Sequence, residues 1–155
     1  MPMSKQVIAV ACSALAIAAA AAGCGGSDDE SLTKAELIRQ GDAICKQGGE
    51  TIQAELAGYV KDHEIGPTSR LTKENQEEVV LTIILPTLQA EAEELGELEA
   101  PEAEADEFTA IVEGLEGAVE KGEAAPLSML NSAPKPLAEA GELAGAYGFE
   151  DCAQV

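Results

Sequence analysis

Aromatic side chains are scarce in this sequence, which has no tryptophan, two tyrosines and two phenylalanines among 155 residues. Sugar-binding sites stack their ligands on aromatic surface, so a carboxylate-based glycosidase is disfavoured despite the many glutamates. The only histidine, His63, has no Gly-x-Ser-x-Gly motif to act with. The sequence also lacks a Cys-x-x-Cys pair and a Cys-x-x-Cys-His motif, which argues against thioredoxin-like redox chemistry and haem attachment. We therefore predict no catalytic residue and no cofactor.

Basic residues are few as well: nine lysines and arginines stand against 29 acids, a formal charge of −20. Such a chain is repelled by nucleic-acid phosphates and by anionic lipid head groups. We therefore expect no nucleic-acid partner. Cationic ligands and basic partner surfaces stay compatible with this charge, although solubility alone is a simpler reason for it.

The first residues of the chain form a recognisable leader. Lys5 precedes an apolar run over residues 7–22, which ends in Ala21-Ala22-Gly23-Cys24. This pattern is typical of a secretory signal peptide, and its end resembles the bacterial lipobox, although Ala21 stands where leucine is commoner. We predict a signal peptide at 1–23, lipidation of Cys24, a flexible spacer at 24–32 and a helical domain at 33–155.

A lipidated Cys24 would place the protein outside the cytoplasm, anchored to the cell membrane by its acyl chains. Ordinary secretion and a retained transmembrane anchor are the alternatives. The apolar run is 16 residues long, short of the roughly 20 that a membrane-spanning helix needs. Cleavage before Cys24 removes Lys5 and no acid, which leaves a mature charge of −21.

Four cysteines are present, and the leader divides them by fate. Cys12 is removed with the signal peptide and Cys24 is acylated, so Cys45 and Cys152 remain. In an oxidising compartment an isolated pair is most simply a disulfide. Zinc would need more ligands than this pair and His63 provide. A disulfide closing so long a loop stabilises a fold by about 4–5 kcal/mol in the chain-entropy description.

The rest of the sequence has helical periodicity without strand-like alternation. Thr33 and Glu36 form a capping-box pattern, and Thr72 is a second helix-capping residue. Pro86 is expected to kink its helix, and Gly148 to end the last one, with Phe149 folding back. The expected helices run from Thr33 to about Asp62, Lys73 to about Glu99, about Glu102 to Gly122, and Pro136 to Gly148. The predicted fold is all-α: an antiparallel bundle of about four helices stapled by one disulfide.

The segment from Glu91 to Glu107 contains nine acids, counting both ends, and we predict that they form a solvated surface. A calcium site needs six to eight converging oxygens, and no EF-hand loop is present. No metal site is predicted, and the weak candidates for calcium or magnesium are Glu99, Glu102, Glu104 and Asp106. His63 falls where the first helix should end, a position that suits a cation.

Three segments resemble small uncharacterised lipoproteins of actinobacteria. They are Leu32-Thr33-Lys34-Ala35-Glu36-Leu37-Ile38 with Asp42-Ala43-Ile44-Cys45, Leu85-Pro86-Thr87-Leu88-Gln89 with the run from Leu95 to Pro101, and Ala146-Tyr147-Gly148-Phe149 with Cys152. The resemblance implies a lipoprotein leader, a helical fold and a cysteine pair. It implies no activity, so no catalytic residue is carried over from it.

The functional expectation is a cell-envelope lipoprotein acting as a non-enzymatic interaction or ligand-binding module. Its partners would be the membrane, through the lipid, and either an envelope protein or a small ligand. A structural envelope component without a ligand and a carboxylate-based envelope hydrolase are the alternatives. A binding module should show a groove, whereas an enzyme should show converging carboxylates with raised pKa values.

Overall fold

The computed structural model describes residues 32–67, 69–131 and 136–154. The predicted signal peptide, the lipidation at Cys24 and the spacer up to residue 31 lie outside the described residues. Within them the fold is all-helical, as predicted. The helices are α1 (Lys34–Asp62), α2 (Lys73–Val79), a π-helical turn (Val80–Ile84), α3 (Leu85–Gly96), α4 (Ala105–Ala124), α5 (Ser128–Asn131), α6 (Ala138–Tyr147) and a 3₁₀ turn (Cys152–Gln154).

The first helix begins and ends as its sequence predicts. The Thr33 hydroxyl accepts a hydrogen bond from the Glu36 N–H, and the Glu36 carboxylate accepts one from the Thr33 N–H, which confirms the capping box. At the other end His63 is the C-cap residue, and its ring stacks on Tyr59 with centroids 3.9 Å apart. These contacts fix the length of α1.

The second arm of the bundle runs antiparallel to α1. At one end the Leu32 N–H donates to the Glu99 carbonyl, and at the other the Tyr59 hydroxyl donates to Glu78. The single helix predicted from Lys73 to Glu99 is instead divided by the π turn and ends at Gly96. Its predicted cap is confirmed, since the Thr72 hydroxyl accepts from the Asn75 N–H.

The third and fourth long helices complete the antiparallel bundle. The start of α4 lies beside the end of α6, where the Phe108 and Tyr147 rings are 6.4 Å apart. Farther along α4, Gly114 faces Ala140 near the start of α6. The predicted start of α4 at Glu102 was early, because residues 102–104 form a turn in which the Glu104 N–H donates to the Pro101 carbonyl. The core comprises Leu37, Val80, Leu85, Leu88, Leu95, Phe108, Ile111, Leu115, Ala144 and Phe149, among others.

The C-terminal tail folds back onto α1. Gly148 has φ +120°, a conformation that side-chain-bearing residues rarely adopt, and so it ends α6 as predicted. The Phe149 N–H donates to the Ala144 carbonyl, and the Phe149 ring is buried. The predicted disulfide joins Cys45 to Cys152. None of the helices in the described ranges has the length and hydropathy that crossing a membrane requires.

Candidate functional site

Glu91 is the most unusual side chain of the described structure. It lies on α3, and only 4 % of it is exposed although it carries an ionisable group. Its Oε2 is buried and has no hydrogen-bond partner among the described residues. Buried polar atoms in proteins are nearly always paired, so this unpaired carboxylate oxygen makes Glu91 the candidate functional residue.

The space for this carboxylate comes from a glycine on the facing helix. A Cβ at Gly48 of α1 would overlap the Glu91 carboxylate and would lie 2.8 Å from its Cγ. A side chain at this position would therefore push Glu91 out of its niche. Gly48 weakens α1 relative to alanine, and its role in the tertiary structure is to admit the carboxylate.

Burial and, to a smaller extent, the nearby carboxylate of Glu94 together raise the pKa of Glu91 to about 7. Desolvation disfavours the charged form of an acid. The Glu91 carboxyl therefore exchanges its proton near neutral pH, whereas an ordinary glutamate is fully ionised there.

The helix that carries Glu91 is shaped by Pro86. Proline has no N–H to donate to the carbonyl four residues earlier, and the chain adopts a π turn immediately before it. Within this turn the Leu85 N–H donates to the Val80 carbonyl, five residues back. The Ile83 carbonyl accepts a hydrogen bond from the Thr87 hydroxyl at 2.8 Å. Such π turns are frequent at functional sites, and this one precedes Glu91 by two helical turns.

Glu91 lines two open grooves on either side of the α1–α3 contact. The smaller holds about 270 Å³ and is lined by Gly48, Thr51, Glu55, Thr82, Pro86, Thr87 and Glu94, among others. The larger, here called the tail groove, holds about 590 Å³ between α1, α3 and the C-terminal tail. Its apolar lining is Ile52, Ile84, Leu88 and Leu137, and its polar lining is Lys46, Glu50, Gln53, Asp151 and Gln154, with Cys45 and Gly49 beside Glu91.

One carboxylate on α1 positions the tail side of this groove. Asp42 Oδ1 accepts backbone N–H donors from Glu150 at 3.0 Å, Asp151 at 2.8 Å and Cys152 at 3.4 Å. These donors belong to the start of the 3₁₀ turn, where orphan N–H groups favour an anion. With the disulfide, this contact holds the tail against α1.

The structure brings together only some of the site residues that were predicted from the sequence. Cys45 and Cys152 are bonded, while Cys24 lies outside the described residues. Of the weak cation candidates, Glu104 pairs with Lys34 at 2.7 Å, and Glu99, Glu102 and Asp106 are exposed. Within the described ranges no three His, Cys, Asp or Glu side chains lie close enough together to hold a metal ion.

The prediction that the acids from Glu91 to Glu107 form a solvated surface was wrong for Glu91. This residue lies three positions after Leu88 and four before Leu95, so it falls on the apolar stripe of α3. That spacing was a signal for burial. The prediction nevertheless placed Glu91 at the surface, because isolated glutamates are rarely buried.

No family model, curated protein or solved structure matches this chain. The geometry around Glu91 is therefore the basis for inferring a function.

Proposed function

We propose that this chain is a lipid-anchored, non-enzymatic binding module of the cell envelope, and that its tail groove takes a small ligand. The lipobox-like end of the leader supports the anchor. The Cys45–Cys152 bond is consistent with that location, since disulfides persist in oxidising compartments.

The observation that carries the binding function is the unpaired Oε2 of Glu91, a residue that lines an open groove. Ligand sites are typically concave, mostly apolar and supplied with a few well-placed polar groups. The tail groove presents four apolar side chains, the buried carboxylate of Glu91 and five further polar side chains. Its volume is within the range of small-molecule sites.

Blocking the groove tests this function. A Cβ at Gly49, which lines the tail groove, would meet no atom within 4 Å. Gly49→Leu therefore fills the groove without a backbone clash. The purified full chain is screened by thermal shift against a library of cationic, neutral and anionic small molecules. We expect some members to raise the melting temperature of the wild type and of Gly58→Leu, but not that of Gly49→Leu.

Gly58→Leu is the matched control, because Gly58 is on the same helix and is equally open but lines neither groove. A library without stabilising members, or stabilisation that persists in Gly49→Leu, would contradict a binding function at this groove.

The lipid anchor is tested separately. We expect the mature N-terminus to be an acylated Cys24 by mass spectrometry, and Cys24→Ser to leave the membrane fraction.

A carboxylate-based hydrolase is the second candidate. A glutamate that holds its proton near pH 7 suits a general acid. Glu55 and Glu94 line the smaller groove with Glu91, but both are exposed. Turnover of peptidoglycan by the wild type, lost in Glu91→Gln, would favour the enzyme. A chain that neither hydrolyses peptidoglycan nor binds a small ligand would be a structural component.

A further inference from the structure

The unpaired oxygen of Glu91 indicates which kind of atom a ligand must present. An ionised carboxylate only accepts hydrogen bonds, and a buried one that stays unpaired is costly. A ligand group that donates a hydrogen bond to this carboxylate therefore contributes more binding free energy than a group that only accepts.

The charges around Glu91 favour a donor that is also a cation. Among the residues that line the tail groove, α1 supplies Glu50 and Lys46 and the tail supplies Asp151. Glu55 from α1 and Glu94 from α3 face Glu91 through the smaller groove. From α4 and α6, the residues that line the remaining space beside it are apolar: Ile111, Leu115, Ala140 and Ala144. Four acids thus oppose one base, and the whole chain has a charge of −20, which steers cations toward it.

The lining of the groove distinguishes an organic cation from a metal ion. Ile52, Ile84, Leu88 and Leu137 give the tail groove an apolar side that a bare ion could not use. Calcium and magnesium need several oxygens around them, and the described residues contain no cluster that could hold such an ion. An organic body would instead bury apolar area against these four side chains.

We propose that the tail groove binds a small organic ammonium ion, whose N–H donates to the Glu91 carboxylate while its apolar body packs on Ile84, Leu88 and Leu137. This inference rests on the proposed binding function and names the ligand class of the same groove. Because the carboxylate must be ionised to pair with the cation, binding below pH 7 releases a proton from Glu91. The affinity for the ammonium ion therefore rises as the pH rises from 5 to about 7 and levels off above.

The test compares three probes that share one apolar body: 4-phenylbutylamine, 4-phenylbutanol and 4-phenylbutyrate. Each is titrated by calorimetry and by NMR into the purified full chain with its disulfide intact, at pH 5, 6, 7 and 8. At pH 8 the amine is expected to bind at least about tenfold more tightly than the alcohol, since hydrogen bonds to a charged group are the stronger kind. The butyrate is expected to bind most weakly.

Two variants distinguish the contribution of the Glu91 carboxylate to binding from the contribution of the rest of the groove. Glu91→Gln keeps the shape of the side chain and is expected to bind amine and alcohol equally, without a pH dependence. Glu120→Gln makes the same chemical change at an exposed position of α4 that lines neither groove, and it should keep both the preference and the pH dependence. In the wild type, saturation with the amine should also lower the pKa of Glu91, measured by NMR of the side-chain carboxyl carbon.

Several results would overturn the inference. One is an alcohol or butyrate that binds as tightly as the amine, and another is an amine preference that survives in Glu91→Gln. If neutral or anionic probes bind and are blocked by Gly49→Leu while the amine does not bind, the groove is a ligand site but not one for ammonium ions. If none of the three probes binds and the library screen also fails, the binding function falls together with the inference.

Discussion

Replacing Glu91 by glutamine is expected to stabilise the protein at pH 8 and to leave its stability nearly unchanged at pH 4.5. The reason is the buried position of this carboxyl, of which 4 % is exposed. Glutamine has nearly the same shape and is neutral at every pH. It therefore resembles the protonated form of Glu91 and avoids the cost of placing a charge there.

The magnitude follows from the pKa. In the unfolded chain the group ionises near 4.5, and in the folded state near 7. Each pH unit between the two values is worth about 1.4 kcal/mol, so ionising Glu91 in the folded protein costs about 3 kcal/mol. This is a large fraction of the 5–15 kcal/mol that holds a typical domain together.

The sign of the pH dependence is fixed by the raised pKa. Between pH 4.5 and 7 the folded state binds more protons at this position than the unfolded state does. Stability contributed by Glu91 is therefore full below pH 4.5 and falls as the pH rises, until the whole cost is present above pH 7. The other acids also titrate in part of this range, so the informative quantity is the difference between the wild type and Glu91→Gln.

The assay is urea unfolding of the oxidised full chain, followed by circular dichroism at several pH values from 4.5 to 8. We expect the two proteins to agree at pH 4.5, and the variant to be more stable by about 3 kcal/mol at pH 8. Glu120→Gln, the same change at an exposed position of α4, should follow the wild type. A difference between wild type and Glu91→Gln that is constant with pH would refute the reasoning.

Three further perturbations test the surroundings of this residue. Gly48→Ala places a methyl group where the Glu91 carboxylate lies, so it should return the Glu91 pKa, measured by NMR, toward its ordinary value and flatten the pH dependence of stability. Asp42→Asn removes the charge that accepts three backbone N–H groups of the tail, and it should cost about 1.5–3 kcal/mol in urea unfolding, whereas Asp62→Asn at the exposed end of α1 should cost little. Replacing both disulfide cysteines by serine opens a loop closed across 107 residues and should cost about 4–5 kcal/mol; a loss below 1 kcal/mol would show that the tail contacts suffice without the bond.

Much of the fold follows from local patterns in the sequence. The capping residues Thr33 and Thr72 start their helices as predicted, and Gly148 ends the last one. Such features depend on neighbours within a few residues, which is why a sequence displays them. The pairing of Cys45 with Cys152 follows from counting cysteines once the leader is set apart.

The position of the helix breaks was harder to predict. Pro86 indicated a disturbance of the second helix, and a kink was expected. At this place the structure has a π turn, in which the extra residue lets Val80, Ile83 and Leu85 all be buried. A regular helix does not place residues spaced by three and then two on one face. The formation of the π turn therefore depends on the helices that pack around this segment.

The sequence by itself determined the helical class, the helix caps, the acidity and the pairing of Cys45 with Cys152, because these depend on composition, on short-range spacing and on the number of cysteines. Only the tertiary structure decided that the Glu91 carboxylate is buried. Burying this carboxylate requires a glycine 43 positions away in the chain, at Gly48, and a groove completed by the C-terminal tail. A charge is desolvated by the atoms that surround it in space, and those atoms come from α1, α3 and the tail together.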